Sequence, residues 1–321
     1  MSTSLKKILK TLLPVAIGTC LVIYSYHSTT AEDRDKIIKA IKNADMVLVG
    51  LSLLLGVFSH ISRAIRWKYL LQPLGYNPKL RNTVLIVFIS YFANLLVIRS
   101  GEFLRPTALS TYEKVPFQIG FGTVVTERII DLIMLLLVII LALILQTNII
   151  MAILEDKGIG LIASIGFLIF CILGLLVSIK IIKKSNAPFA IKIKGFLNGI
   201  LEGVLSVFKM KQKLAFILHT LFIWACYIGM FWVIKYTVPE TINLTLGQLL
   251  VAFIAGSFAM TATNGGLGLF PIAVTAALAF FGISKTSGDA FGWIIWTSQN
   301  LMLVLFGAIS FLLLPLWNRT K

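Results

Sequence analysis

Two short breaks interrupt apolar stretches of this 321-residue chain in the same way. One is Arg99-Ser100-Gly101-Glu102-Phe103-Leu104-Arg105-Pro106, the other Asn264-Gly265-Gly266-Leu267-Gly268-Leu269-Phe270-Pro271. In each, an apolar run arrives, glycine loosens the backbone, and a proline follows five residues after Gly101 or Gly266. Glycine and proline release backbone groups that hydrocarbon cannot satisfy. Irregular backbone at membrane depth therefore persists only when buried in protein or lining a polar cavity. A matched pair of Gly/Pro-interrupted segments in the two halves of a chain points to the binding site of a transporter-like scaffold.

Composition makes this a membrane chain. It is 58% hydrophobic, with mean hydropathy +0.94 and 13% charged residues, where soluble domains carry about 25%. Apolar runs near or above the roughly 20 residues that span a bilayer recur from end to end. No polar stretch is long enough for a separate soluble domain, so one integral membrane domain, 1–321, is expected. Lys6, Lys7 and Lys10 precede the run Leu12 to Tyr26. That run has no small-x-small cleavage site, so a retained first helix is expected rather than a signal peptide. Cys20, Cys171 and Cys226 lie inside apolar runs, and His27, His60 and His219 are isolated. Neither a disulfide framework nor a metal site is expected, and nothing calls for a cofactor.

Candidate membrane segments fall at about 8–26, 46–65, 83–98, 103–112, 118–145, 158–182, 214–236, 247–262, 270–283 and 289–316. If 83–98 crossed fully and 118–145 crossed back, the lysine-rich stretch 180–213 would face outside, against the positive-inside bias. If 83–112 and 247–283 are instead hairpins that enter from opposite sides and return, about six full crossings remain. Nearly all the surplus positive charge then falls on the cytoplasmic side, with both termini there. The expected fold is therefore all-α: a polytopic, multi-pass helix bundle of the cytoplasmic (inner) membrane with two oppositely oriented re-entrant hairpins. Units of about 46–145 and 214–316 form an inverted repeat. The net charge of +16 is accounted for by orientation, with no nucleic-acid partner. The rival layout makes both breaks loops between ordinary crossings. The stretch of about 186–213 reads as an amphipathic helix on the cytoplasmic leaflet or as a cytoplasmic linker.

Ionisable residues at membrane depth are costly, about 2.5–3.5 kcal/mol each at the centre, and six cluster in the first half. Arg99, Glu102 and Arg105 recur at three-residue intervals; Glu127, Arg128 and Asp131 follow on the next helix. One account is mutual pairing, with Arg99 and Arg105 neutralising Glu127 and Asp131. The other is that Arg99 and Arg105 face a polar cavity and engage an anionic head group, since the guanidinium fork binds two phosphate oxygens at once. Arg63, Arg66 and Trp67 at the end of the second crossing read either as a head-group access point or as ordinary interface anchors. In the second break, Asn264, Gly265, Gly266 and Gly268 could cradle an anion with backbone N–H groups or simply permit a turn. Gln299 and Asn300 could face the same cavity or bond between helices. P-loop, G-x-S-x-G and H-E-x-x-H signatures are absent from the sequence, so no catalytic residues are assigned and an enzyme is not expected.

These residues carry a resemblance. Ser62-Arg63-Ala64-Ile65-Arg66-Trp67, the break 99–106, Thr126-Glu127-Arg128-Ile129-Ile130-Asp131 and Gly265-Gly266-Leu267-Gly268 occur in that order. The ordered set resembles the lysylphosphatidylglycerol synthase transmembrane family, flippase-like integral membrane proteins. Some members carry a soluble aminoacyl-transferase domain after the membrane part. Without one after Lys321, this chain is not expected to aminoacylate lipid. The family's second glycine motif is often preceded by proline and followed by an acidic residue; here Asn264 and Pro271 occupy those places. The resemblance implies a lipid translocase whose partners are lipids with anionic or zwitterionic head groups. The alternative is a non-catalytic membrane partner of a lipid or polyprenyl-linked glycan synthesis enzyme.

Overall fold

A computed structural model describes residues 19–27, 30–147 and 210–319. The expected crossing at 158–182, almost all of the 186–213 segment and residues 1–18 lie outside the described residues. Those described are helical, with no strand among them.

A helical stretch at 19–27 precedes α1 (Ala31–Lys42), α2 (Met46–Leu71), α3 (Leu80–Leu96), α4 (Ser100–Glu113) and α5 (Phe117–Leu145). After the undescribed segment come α6 (Lys213–Ile234), α7 (Leu246–Ala262), α8 (Leu269–Ala279) and α9 (Lys285–Trp317). Four helices, α2, α5, α6 and α9, are long and apolar enough to cross a membrane. The others of the two halves are short. At 1.5 Å per residue, α3 and α7 are about 25 Å long, α4 about 21 Å and α8 about 16 Å, against a hydrocarbon core of about 30 Å. Each half therefore runs long, short, short, long.

Polar contacts fix where the short helices begin and end. Asn82, at the start of α3, donates from Nδ2 to Glu113 at the end of α4 and to Asn318 just past α9. Both feet of the first hairpin therefore stand at the end of the bundle where α9 finishes. Glu240, ahead of α7, accepts from the backbone N–H and hydroxyl of Ser284, which precedes α9 (2.9 Å each). Both feet of the second hairpin thus stand at the end where α9 starts. The tips meet between them: Asn264 Nδ2 donates to Leu96 O at 2.8 Å. Loops between ordinary crossings at opposite faces could not touch in this way. The opposed-hairpin layout holds, and the loop layout does not.

Packing repeats the pattern. α2 packs along α6, its counterpart in the other half. α3 packs on α9 as α7 packs on α5, and each hairpin's returning helix lies against the long helix that follows it. The main apolar core joins α6, α7, α8 and the first half of α9, and includes Ile223, Phe231, Leu249, Val274 and Phe291. A second joins α2, α3 and α4 around Trp67, Ile86 and Leu109. Outward faces stay apolar: on α5, Leu132, Leu136, Leu137, Ile140 and Ile144 are exposed, as a lipid-facing surface requires.

Some helix starts at the bundle ends carry side-chain caps, and those at the tips carry none. Asp45, Thr245 and Ser284 cap α2, α7 and α9 with their side chains, Thr245 within a full capping box with Gln248. α4 and α8 have no side-chain cap. They start instead from left-handed residues, Arg99 (φ 59°) and Gly268 (φ 70°). For Arg99 that conformation costs about 1–2 kcal/mol. One boundary is corrected: the second crossing does not end near 65 but continues to Leu71. Its arginines do not mark the membrane surface, because they are paired inside the bundle.

Candidate functional site

The site is built from the last turns of α2, the middle of α5 and the returning helix α4. On α2, Arg63, Arg66 and Trp67 are 2%, 0% and 0% exposed. Arg63 Nη1 donates to Asp131 Oδ2 at 2.7 Å and Nη2 to the Tyr227 hydroxyl at 2.9 Å. Arg66 donates to Asp131 Oδ1 (2.9 Å), to Glu127 Oε1 (3.4 Å) and to Thr220 Oγ1 (3.2 Å). Spacing of three on α2 and four on α5 places each pair on one helix face, so two arginines meet two carboxylates across one interface.

Arg105 completes the cluster from α4. Its Nη1 lies 2.5 Å from Glu127 Oε2 as a charge contact, without the alignment of a hydrogen bond. Its Nε and Nη2 have no hydrogen-bond partner among the described residues, although the side chain is buried. The guanidinium carbon stands 3.9 Å over the Trp67 ring, a favourable placement of a cation on an aromatic face. Trp67 is itself held by Nε1 donating to Thr123 Oγ1 at 2.8 Å. Arg63 lies over Tyr91 and Arg66 over Phe216 in the same manner, at 5.6 and 5.7 Å. Three buried guanidinium groups thus face two carboxylates, and the aromatic rings add no compensating charge. An open flank borders them. Arg128 lies 3.4 Å from Glu102 and 4.0 Å from Asp131, with side chains about a third exposed at Arg128 and Glu102. Counting that pair leaves the same single positive charge in excess.

Several sequence expectations are revised by this geometry. Arg99 does not pair with Glu127 or Asp131. It is exposed at the tip of the first hairpin and makes no ion pair among the described residues, and Arg63 and Arg66 take its place at Asp131. Arg63, Arg66 and Trp67 do not form an exposed access point for head groups; all three are interior, since α2 runs on past them. Gly101 serves packing: a Cβ there would fall on the Ser90 carbonyl of α3, and its N–H donates to Asn94 Oδ1 at 2.8 Å. The second break is a glycine-permitted turn, with Gly265 at φ 56°, Gly266 at 74° and Gly268 at 70°. Gly266 N–H is taken by Thr263 O and Leu267 N–H by Asn264 O, and Gly265 O accepts from the Trp296 indole at 2.7 Å, so part of the turn's backbone is spent on holding it. Gln299 bonds between helices, donating to Ser52. Asn300 lies at the break, its Oδ1 3.2 Å from where a Gly265 Cβ would stand. Tyr91, Thr123, Thr220 and Tyr227 line the cluster without having been expected to. They are single polar residues in apolar runs and carry no spacing signal. Among the described residues no group of His, Cys, Asp and Glu could hold a metal ion.

A UPF0104 membrane protein of Methanocaldococcus jannaschii is 34% identical over 100 residues, 30% of each chain. The glycosyltransferase AglD of Haloferax volcanii is 31% identical over 101 residues, 31% of this chain and 16% of that protein. The matched stretches thus span under a third of either relative. No solved structure matches. The model of the lysylphosphatidylglycerol synthase TM region matches residues 11–315, nearly the whole sequence. The chain is therefore a multi-pass membrane protein that belongs to the lysylphosphatidylglycerol synthase transmembrane family.

Proposed function

We propose that this protein moves a lipid with a phosphate-bearing head group between the leaflets of the cytoplasmic membrane. The carrying observation is the buried excess of guanidinium over carboxylate beside the meeting tips of two opposed hairpins. An uncompensated buried charge is expensive, and a lipid phosphate would balance it. Arg105 supplies the contact, since its Nε and Nη2 donors are unspent. Exposed Arg99 and half-exposed Arg128 supply the approach, while Glu102, Glu127 and Asp131 hold the arginines apart and oriented. The broken tips give the scaffold flexible backbone where alternating access needs it. The sequence has no P-loop, so movement is downhill or driven by a gradient. The basic end of the bundle, with both feet of the first hairpin, is assigned to the cytoplasm with both termini.

The test is translocation of a fluorescent phospholipid in proteoliposomes, read by quenching of the outer leaflet. The expected result is a rate above protein-free vesicles that falls roughly tenfold in Arg105→Ala, the loss of one charge-assisted contact of about 1.5 kcal/mol. A rate no different from empty vesicles with all phospholipid classes overturns the proposal. One relative, AglD, is named a glycosyltransferase, which favours a second reading: a non-catalytic membrane partner of a glycan-lipid enzyme. That reading requires stable co-purification with such an enzyme and no translocation by the chain alone.

A further inference from the structure

We infer that a small monovalent cation binds where the two hairpin tips meet, held by neutral oxygen atoms of the second break and α9. The inference starts from two acceptors that the fold leaves unsatisfied. Among the described residues Asn264 Oδ1 and Asn300 Oδ1 are both buried and accept no hydrogen bond, and Asn264 as a whole is 5% exposed. A buried polar atom without a partner costs about 1–3 kcal/mol, so two at one place call for a reason.

Neither oxygen is interchangeable with its amide nitrogen. Asn264 Nδ2 donates to Leu96 O at 2.8 Å and Asn300 Nδ2 donates to Trp296 O at 2.7 Å. Rotating either amide would set oxygen against a carbonyl oxygen. The nitrogens are thus pinned by backbone carbonyls, and the oxygens are fixed as the remaining ends. Asn264 precedes Gly265, and a Cβ at Gly265 would stand 3.2 Å from Asn300 Oδ1 and against the Leu95 side chain. Any side chain at 265 would enter that space.

The surroundings suit a cation. The C-terminal ends of α3 and α7 converge on this point, and each end carries a partial negative charge of about half an electron. Val97 returns its N–H to Ala93 O to close α3. Thr263 returns no N–H to α7, so the last α7 carbonyls, Ala259 to Ala262, have no backbone donor beyond the helix. The helix ends at this point are exposed at Leu96, Val97, Thr261 and Ala262, while Thr263 to Gly266 are buried. Hard oxygen donors select hard cations. With no carboxylate in the set, the donors suit a single charge better than the divalent ions that carboxylates bind. Unwound backbone and half-helix C-termini hold coupling ions in other broken-helix transporters.

The site stands apart from lipid translocation; only its use as a driving force rests on that reading. The experiment uses the full-length protein in lipid nanodiscs with radioactive Na+ as the probe, at constant ionic strength kept with choline. Saturable binding is expected, reduced at least about tenfold in Asn300→Leu and retained in Asn300→Asp, which keeps an oxygen and adds charge. Asn264→Leu should behave as Asn300→Leu; because it also breaks the tip contact, Asn300 decides where that variant misfolds. Saturable Na+ binding that is absent from the parent, or unchanged in monodisperse Asn300→Leu, overturns the site. Binding without translocation of any phospholipid leaves the cation site standing and removes the translocase. Translocation without binding does the reverse.

Discussion

Glu127 is the carboxylate that both Arg66 and Arg105 face, and it is fully buried. Its neighbour Arg128 pairs with Glu102 and Asp131 with its side chain 38% exposed. Burial therefore separates two arginine–carboxylate contacts that look alike in sequence. Removing one partner of a buried pair costs about 3–5 kcal/mol, whereas an exposed pair contributes at most about 1 kcal/mol. Glu127→Gln should accordingly lower the unfolding temperature in detergent sharply, and Arg128→Gln only slightly. Equal losses would mean that the cluster is far wetter than its burial implies. Glycine allows a second comparison. A Cβ on Gly101 would strike the backbone carbonyl of Ser90, which cannot swing aside, whereas one on Gly122 in α5 meets nothing within 4 Å. Gly101→Ala should destabilise by about 1–3 kcal/mol, the usual cost of overpacking. Gly122→Ala should be neutral or stabilising by up to about 1 kcal/mol, since alanine is the better helix former. Thermal unfolding of both variants side by side checks the pair. A Gly101→Ala protein as stable as the parent would show that α4 does not press on α3 as described.

Hairpins are the elements that set this fold, and their feet are held by few groups. Glu240 clasps Ser284 at the foot of the second hairpin, and those hydrogen bonds, the backbone one foremost, hold its carboxyl below the ordinary glutamate range. A depressed folded-state pKa gives stability that is present above the unfolded value and lost as pH falls through the folded one. The parent should thus lose stability as pH drops from about 5 towards 3, and Glu240→Gln should flatten that part of its curve. An unchanged acid limb in the variant would assign the loss to other carboxylates. At this scale the sequence was informative for a definite reason. Gly and Pro cannot be spent inside a bilayer without a local cause, so the breaks at 99–106 and 264–271 announced the hairpins. Helical spacing also put Glu127 and Asp131 on one face. Spacing names a face, however, and not the neighbour across it. That is why Arg63 and Arg66, separated from Asp131 by more than sixty residues, replaced Arg99 as its partners. Basic residues near a helix end resemble interface anchors until the helix is seen to continue past them.

The whole molecule joins these parts by one geometric fact: the hairpin feet stand at opposite ends and their tips touch. Each core takes side chains from the other half: Val138 and Ala142 of α5 pack into the core around α7 and α8, and Phe216 and Leu314 into the core around α3 and α4. α9 of the second half supports α3 of the first, and α5 of the first supports α7 of the second. The proposed translocation would have one half rock against the other about the touching tips. The mechanism needs the two hairpins to open to different sides of the membrane, which is a matter of topology and can be measured directly. Gln118, exposed in the first turn of α5, stands at the end shared by both feet of the first hairpin; Lys285, exposed at the start of α9, stands at the other end. In a version free of native cysteines, Lys285→Cys should react with an impermeant maleimide on intact cells, and Gln118→Cys only after the membrane is opened. The reverse result would keep the opposed hairpins and invert the protein, against the positive-inside bias. Labelling of both from the same side would place the feet of the two hairpins on one face. It would remove the pivot that the proposed alternating access requires.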